Sequence, residues 1–325
     1  MNVSRRQVII GTGALGVQLF APAIARAQAY PTQSVHFICG FPAGGGADVI
    51  VRFFAEQMRP LLGKTVLVEN RAGALGNIAT EYTARSKPDG YTIYLAAPST
   101  LAANQHLLRN PSVDIVNELQ ITATINRQPL MVAVHTSSPH KTIAELTAAM
   151  KAKGEKASFA YASPSAKVVG ALYNQKAGLQ AADVAYRTGA DYLNDLASGQ
   201  IDFAIPDNVT AITQANAGRM RILAVSTGER LQAAPELPTM TELGYPMNLV
   251  SWWAAMVPAA TPRPIINQLN IWFSQVVAGD EGKKFLNGIA SDPWVNKPDD
   301  AQGYWRQEIK NWAEYVKLAK IEQQG

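Results

Sequence analysis

The sequence predicts an α/β fold with mostly parallel sheets flanked by helices. Two observations carry this: segments of strand character alternate with segments of helical character along the whole chain, and several of the joins are short loops of small residues. The chain has 325 residues, is 47% hydrophobic and holds no long polar tract, so it can bury one or two ordinary cores; two lobes suit its length.

Residues 37–54 read Phe-Ile-Cys-Gly-Phe-Pro-Ala-Gly-Gly-Gly-Ala-Asp-Val-Ile-Val-Arg-Phe-Phe: a β-like run, a loop of small residues, then an apolar helical pattern. Gly44, Gly45 and Gly46 carry no Cβ, so the backbone can take positive φ and approach a ligand with its N–H groups facing the gap. The first N–H groups of the following helix lack intrahelical partners, and the helix dipole adds partial positive charge, so a carboxylate or phosphate fits there. A plain tight β-to-α turn would use the same glycines. Nucleotide motifs fail. A dinucleotide fingerprint needs glycine where Val49 stands, and a phosphate loop ending in Gly63-Lys64-Thr65 needs glycine where Met58 stands.

After this cradle a helix is predicted from Asp48 to about Arg59, stopped by Pro60 and Gly63, and a strand from Thr65 to Val68. Glu69 to Asn77 form a second small-residue loop before a helix over 78–85, with Arg71 assigned to a structural salt bridge. Ser86-Lys87-Pro88-Asp89-Gly90 is a turn by its chemistry, and Tyr91 to Ala96 alternate like a strand. Ser99 and Thr100 follow that strand, where their hydroxyls can either meet a ligand's lone pairs or cap the next helix. Strand patterns cover 121–125 and 130–134 around Pro129, and Thr142-Ile143-Ala144-Glu145 is a capping box opening a helix to Lys153. A strand over 159–162 leads into Ser163-Pro164-Ser165-Ala166-Lys167 and a helix to Ala177. Strands around Val184, Ile201 to Ile205 and Gly218 to Ser226 follow. Adjacent Trp252 and Trp253 on a strand face opposite sides, so at most one enters a cleft. Helices over 265–277 and 301–317 finish the chain, and Trp305 and Trp312, seven apart, mark a core face.

The first 29 residues read as an export leader of twin-arginine type, from the pair Arg5-Arg6 ahead of an apolar run from Val8 to Phe20 and small-residue sites at Ala25, Ala27 and Ala29; cleavage is expected just before Tyr30. Without the leader, 26 Lys+Arg face 25 Asp+Glu, a balance that gives no sign of a nucleic-acid binder. Cys39 is the only cysteine, so no intrachain disulfide or thiolate cluster can form, and a buried structural thiol is expected. The four histidines form no metal motif, and neither a metal nor a cofactor is expected.

The loop Gly40 to Asp48 resembles the signature loop of the Bug-type substrate-binding proteins of tripartite tricarboxylate transporters. Further ordered segments are similar to the same family: Glu69-Asn70-Arg71-Ala72-Gly73-Ala74-Leu75-Gly76, Pro88-Asp89-Gly90-Tyr91-Thr92, Val184-Ala185-Tyr186-Arg187, Asp195 to Asp202, and Leu237-Pro238-Thr239 to Gly244. One segment departs: the loop at Ser163 to Lys167 is shorter than the family's and lacks its glycines, and Lys167 stands where the family has histidine.

The resemblance implies a two-lobed periplasmic-binding-protein fold of the Venus-flytrap, type II-like kind, with lobe one at residues 30–130 and 252–325 and lobe two at 131–251. It implies a monomeric periplasmic receptor, not an enzyme, that takes a small organic carboxylate and delivers it to integral-membrane transporter subunits. Ligand contacts are expected at Phe41, Ala43, Gly44, Gly45, Asp48, Ala97, Ser99, Thr100, Ser163, Lys167, Arg187 and Asp207. Lys167 could instead be solvated, and Arg187 could instead pair with Asp191 four residues on. Sensing for a signalling partner would use the same fold. An exported hydrolase is the third reading, weakened because no Gly-x-Ser-x-Gly elbow exists.

Overall fold

The computed structural model describes residues 30–323, excepting the side chains of Leu75, Ser99 and Thr100; the leader read at 1–29 lies outside the described residues. Two sheets form the two lobes. The first lobe opens with β1 (Val35–Cys39), α1 (Gly46–Leu62), β2 (Val66–Asn70), α2 (Asn77–Ala84), β3 (Thr92–Ala96), α3 (Pro98–Leu107), the short α4 (Ile115–Glu118) and β4 (Leu119–Pro129). The second lobe follows with β5 (Met131–His135), α5 (Ile143–Lys153), β6 (Ser158–Tyr161), α6 (Pro164–Ala177), β7 (Ala182–Ala185), α7 (Leu193–Ser198), β8 (Phe203–Ile205), α8 (Asn208–Asn216) and β9 (Met220–Val225). The chain then returns through β10 (Val250–Pro258), α9 (Arg263–Ala278), α10 (Asp280–Gly288), β11 (Asp292–Pro293) and α11 (Pro298–Leu318).

Strand order is β11-β4-β10-β3-β1-β2 in the first sheet and β7-β6-β8-β5-β9 in the second. β1 pairs in parallel with β2 and β3, and β6 with β7 and β8. The antiparallel pairs all involve the strands that cross between lobes or their neighbours, because a chain that leaves a lobe and returns must run back beside itself. Only Leu130 separates β4 from β5, and β10 lies antiparallel against nearly all of β4, so this ribbon joins the lobes.

Alternation along the strands sorts side chains between layers. Val35, Phe37 and Cys39 of β1 pack with α1 and α9, while Ile38 faces the other side. On β10 the same rule sends Trp253 to the first layer and Trp252 to the second, where the Trp252 indole N–H donates to Glu308. In the second lobe Phe159 and Phe203 face α5 and α6, and Ala160 and Ala204 face Tyr192 and Leu196.

Several elements differ from the sequence reading. Helix α1 runs through Pro60 and ends only at Gly63, whose left-handed φ of 61° lets its N–H close on the Arg59 carbonyl at 2.9 Å. Proline this close to a helix end forfeits one hydrogen bond without stopping the turn. Trp305 and Trp312 are both buried on one face of α11, yet they enter different cores: Trp305 the first lobe's and Trp312 the second's. α11 therefore straddles the lobes. The capping box holds, with the Thr142 hydroxyl accepting from the Glu145 N–H at 3.2 Å.

Candidate ligand-binding cleft

The loops after β1 and β3 of the first lobe and after β6, β7 and β8 of the second face one cleft, which has the crossing strands as its floor. This is where open α/β sheets place ligands, at the carboxyl ends of their strands. The cleft is open to solvent at its mouth and holds about 690 Å³ of space between atoms, that opening included.

Four helices present their N-termini here, and they differ in one respect. α6 is capped by Ser163, whose Oγ accepts from the Ala166 N–H at 3.3 Å, and α8 by Asp207, which accepts from the Thr210 N–H at 2.9 Å and hydroxyl at 2.7 Å. α1 begins at Gly45 and α3 at Ala97, and neither has a side-chain cap. The first lobe thus presents two helix N-termini without a side-chain cap at the cleft, and of the two α1 carries the Asp48 carboxylate in its first turn; a free helix N-terminus is worth about 0.3–1 kcal/mol toward an anion and more when partly buried.

A polar lock shapes the first of these ends. Asp48 is buried and accepts from the Gly44 N–H at 2.9 Å, Arg52 Nε at 2.8 Å and Asn70 Nδ2 at 2.9 Å; Asn70 Nδ2 also reaches the Phe41 carbonyl at 3.0 Å. Burial alone would raise the Asp48 carboxyl, but Arg52, the Gly44 amide and Asn70 together hold it below the ordinary range. The Cys39 thiol, pushed up to about 11 by burial, faces the same carbonyl at 3.6 Å.

The twelve expected contacts separate accordingly. Phe41, Gly45, Ala97, Ser163, Arg187 and Asp207 line the cleft. Ala43 and Gly44 are exposed outside it, since the loop's tip turns to solvent through the positive φ of Gly44, and Gly46 and Ala47 take their place on the wall. Asp48 spends its oxygens on the lock. Ser163 to Lys167 form no free loop: Ser163 caps α6, and Lys167 lies in its first turns, mostly covered, 3.2 Å from Asp183 and over the Tyr161 ring. Lys167 therefore serves β7 rather than the cleft. The side chains of Ser99 and Thr100 lie outside the described residues.

Arg187 is exposed at the cleft edge and makes no ion pair among the described residues; Asp191 instead accepts from the Thr188 N–H at 2.8 Å. Asp207 is the reverse case. Burial raises its carboxyl above the ordinary range against the pull of Thr210, and it sits so near α1 that a Cβ on Gly46 would lie 2.3 Å from its Oδ1. The lobes touch at this point.

Further residues of the cleft include Gln128 and Leu130 near the end of the outgoing strand, Ser251 on β10, and Tyr192 and Asn208 on the walls. Polar residues inside buried strands were the available signal for Gln128 and Ser251. Trp253 is the indole that enters the cleft. The Tyr192 hydroxyl, Asn208 Oδ1 and Trp253 Nε1 are buried without a hydrogen-bond partner among the described residues, a penalty of roughly 1–3 kcal/mol each.

Two α/β lobes on a crossing ribbon, with loops from both converging on one cleft, define the class of extracytoplasmic solute receptors. The chain belongs to the tripartite tricarboxylate transporter receptor family, whose model matches residues 50–321. Protein BugT of Bordetella pertussis is 29% identical over 98% of each chain. Among solved structures, R. palustris Rpa4515 with adipate superposes with a TM-score of 0.86 at 28% identity, covering 91% of this chain and 100% of the other. Periplasmic binding protein BugD superposes with a TM-score of 0.84 at 29% identity, covering 91% and 100%. These are binding proteins, which sets the exported-hydrolase reading aside. No described helix is long and apolar enough to cross a membrane.

Proposed function

We propose that the chain is a periplasmic receptor that encloses a small organic carboxylate between its lobes and presents it to integral-membrane subunits of a tripartite tricarboxylate transporter. The observation that carries this reading is the asymmetry of the cleft: two helix N-termini without side-chain caps on one wall, and on the other walls buried polar atoms without partners among the described residues. A carboxylate at the ends of α1 and α3 accepts from their N–H groups, directly or through ordered water, and Arg187 supplies the nearby cation. The adipate in Rpa4515 supports the ligand class.

Residues 30–130 with 252–325 form one moving body and 131–251 the other, in this reading, hinged on the crossing ribbon. Ligand binding favours the closed arrangement, in which Gly46 meets Asp207, and the closed surface is what the membrane partner recognises. Export by the leader, with release of a monomer beginning near Tyr30, completes the proposal.

The test is a thermal-shift screen of the exported chain against mono-, di- and tricarboxylates, with phosphate and neutral sugars as controls. A ligand at a hundredfold excess over its Kd should stabilise the fold by about 2.7 kcal/mol. A raised melting temperature with carboxylates alone supports the proposal. No shift with any carboxylate, on protein unfolded and refolded to remove retained ligand, refutes it.

A further inference from the structure

Helix α1 offers its N-terminus to the cleft while carrying a carboxylate in its first turn, a charge that by itself repels any second anion at the same helix end. Burial opposes ionisation of Asp48, yet Arg52, the Gly44 amide and Asn70 hold its carboxyl below the ordinary range, so it is charged at neutral pH. The compensating charge comes from outside the cleft. Arg52 lies one turn further along α1 on the exposed face, and its guanidinium forks: Nε donates to Asp48 Oδ2 at 2.8 Å and Nη2 to Asn70 Oδ1 at 3.2 Å. Among the described residues it is the one cation that pairs with Asp48.

Both flanks of the cradle are braced from this fork. Asn70 Nδ2 donates to the Phe41 carbonyl at 3.0 Å and to Asp48 Oδ1 at 2.9 Å, and Asp48 Oδ2 accepts from the Gly44 N–H at 2.9 Å. Phe41 on one side and Gly45 on the other then line the cleft. The other charged and titratable groups around this end of α1 do not take over the role of Arg52. Glu69 of β2 pairs with His36 and Arg71; the Cys39 thiol of β1, pushed up to about 11 by burial, stays neutral; across the cleft Asp207 meets Gly46 and Arg187 stands at the edge.

Resting on the carboxylate reading above, we propose that Arg52 is a positioning residue for ligand recognition: without touching the ligand it cancels the charge of Asp48, and so leaves the N-terminus of α1 attractive to the ligand's carboxylate. The loop needs Asp48 as a brace for the Gly44 amide and Asn70, and the negative charge comes with the brace. With Arg52 in place the helix end keeps its partial positive charge; without it the ligand meets an uncompensated anion about one turn away in a partly buried site.

The test is calorimetric titration of the exported chain with succinate, adipate and citrate, comparing the parent with Arg52→Gln, Arg52→Lys and the double variant Asp48→Asn/Arg52→Gln, each checked by a thermal melt. Arg52→Gln keeps a hydrogen-bond donor at an exposed position and removes the charge, so affinity for each acid that the parent binds should fall at least about 10-fold. Arg52→Lys returns the charge without the fork and should bind within about threefold of the parent. The double variant removes the repulsion itself and should bind at least about fivefold more tightly than Arg52→Gln alone. A role in loop shape alone gives the opposite pattern, with Arg52→Lys as weak as Arg52→Gln and the double variant no tighter than Arg52→Gln; either result overturns the proposal. So does an Arg52→Gln affinity within about twofold of the parent's, and in each of these cases binding by the parent leaves the carboxylate reading standing. Absence of binding of all three acids to the parent overturns that reading, and the role of Arg52 with it.

Discussion

Gly46 is where the two lobes press hardest on each other, and Gly46→Ala is therefore the most informative single change. A Cβ there would lie 2.3 Å from Asp207 Oδ1, 2.9 Å from its Cγ and 3.1 Å from Val209 Cβ. Ordinary contact is about 3.5 Å, so the carboxylate must retreat by about 1 Å. Asp207 is held by Thr210 at 2.9 Å and 2.7 Å, and such a movement takes those bonds to the edge of hydrogen-bonding range or beyond it. Losing the cap of α8 costs about 1 kcal/mol, and leaving a buried carboxylate under-bonded adds at least about as much again. The touching arrangement is thus penalised by about 2–3 kcal/mol, or about 30- to 150-fold in affinity for a ligand that requires it. The separated lobes suffer no such cost. Gly46 has no positive φ, so alanine fits its backbone and stiffens the unfolded chain, worth about 0.4–1 kcal/mol in favour of folding. Titration calorimetry and thermal melts together should show weakened carboxylate binding in a ligand-free protein that melts no lower than the parent. An affinity within about twofold of the parent's refutes the reasoning, because the bound state would then not bring α1 onto Asp207.

Three other substitutions probe separate links. Tyr192→Phe deletes a buried hydroxyl without a partner among the described residues, so the ligand-free protein should gain up to about 1 kcal/mol while carboxylate affinity falls about 5- to 10-fold; melts and calorimetry read the two signs. Burial pushes the Glu308 carboxyl up to about 7, opposed by Trp252, Tyr304 and Arg127. A carboxyl raised in the folded state takes up a proton that the unfolded chain does not, so its contribution falls as pH rises from about 4.5 to 7, by roughly 3 kcal/mol at most. Glu308→Gln should therefore raise the melting temperature at pH 8 and change it little at pH 4; an equal effect at both refutes the assignment. Thr142→Ala removes the cap of α5 far from the cleft and should cost about 1 kcal/mol, or about 2 °C, with ligand affinity unchanged.

Local chemistry made much of the fold legible. The capping box at Thr142, the turn at Asp89-Gly90 and the alternation that sends Trp252 and Trp253 to opposite layers all act over a few residues, so they read directly from the chain. Two strand patterns about Pro129 were visible, while their crossing between lobes came from the family resemblance and not from local pattern. What was not legible depends on which side of a loop faces inward. Glycine content marked the first loop as a cradle, but only its two flanks, Phe41-Pro42 and Gly45 to Ala47, reach the cleft, while Ala43 and Gly44 between them turn to solvent and the Gly44 amide is taken by Asp48. Ser163 to Lys167 looked like a shortened loop because Pro164 and two serines favour turns; the same residues suit a cap and first helical turn, and Asp183 on a distant strand draws Lys167 away. Tyr192 and Asn208 carried no local signal, for their place in the site comes from the packing of α7 and α8 against the second sheet.

The most direct test compares adipate with its diamide by titration calorimetry, two ligands of nearly equal size and shape that differ in anionic charge. Helix ends and Arg187 select for the charge, so adipate should bind and release heat while the diamide binds at least about 100-fold more weakly. Equal affinity for the two would contradict the account, for the cleft would then be reading shape and not a carboxylate.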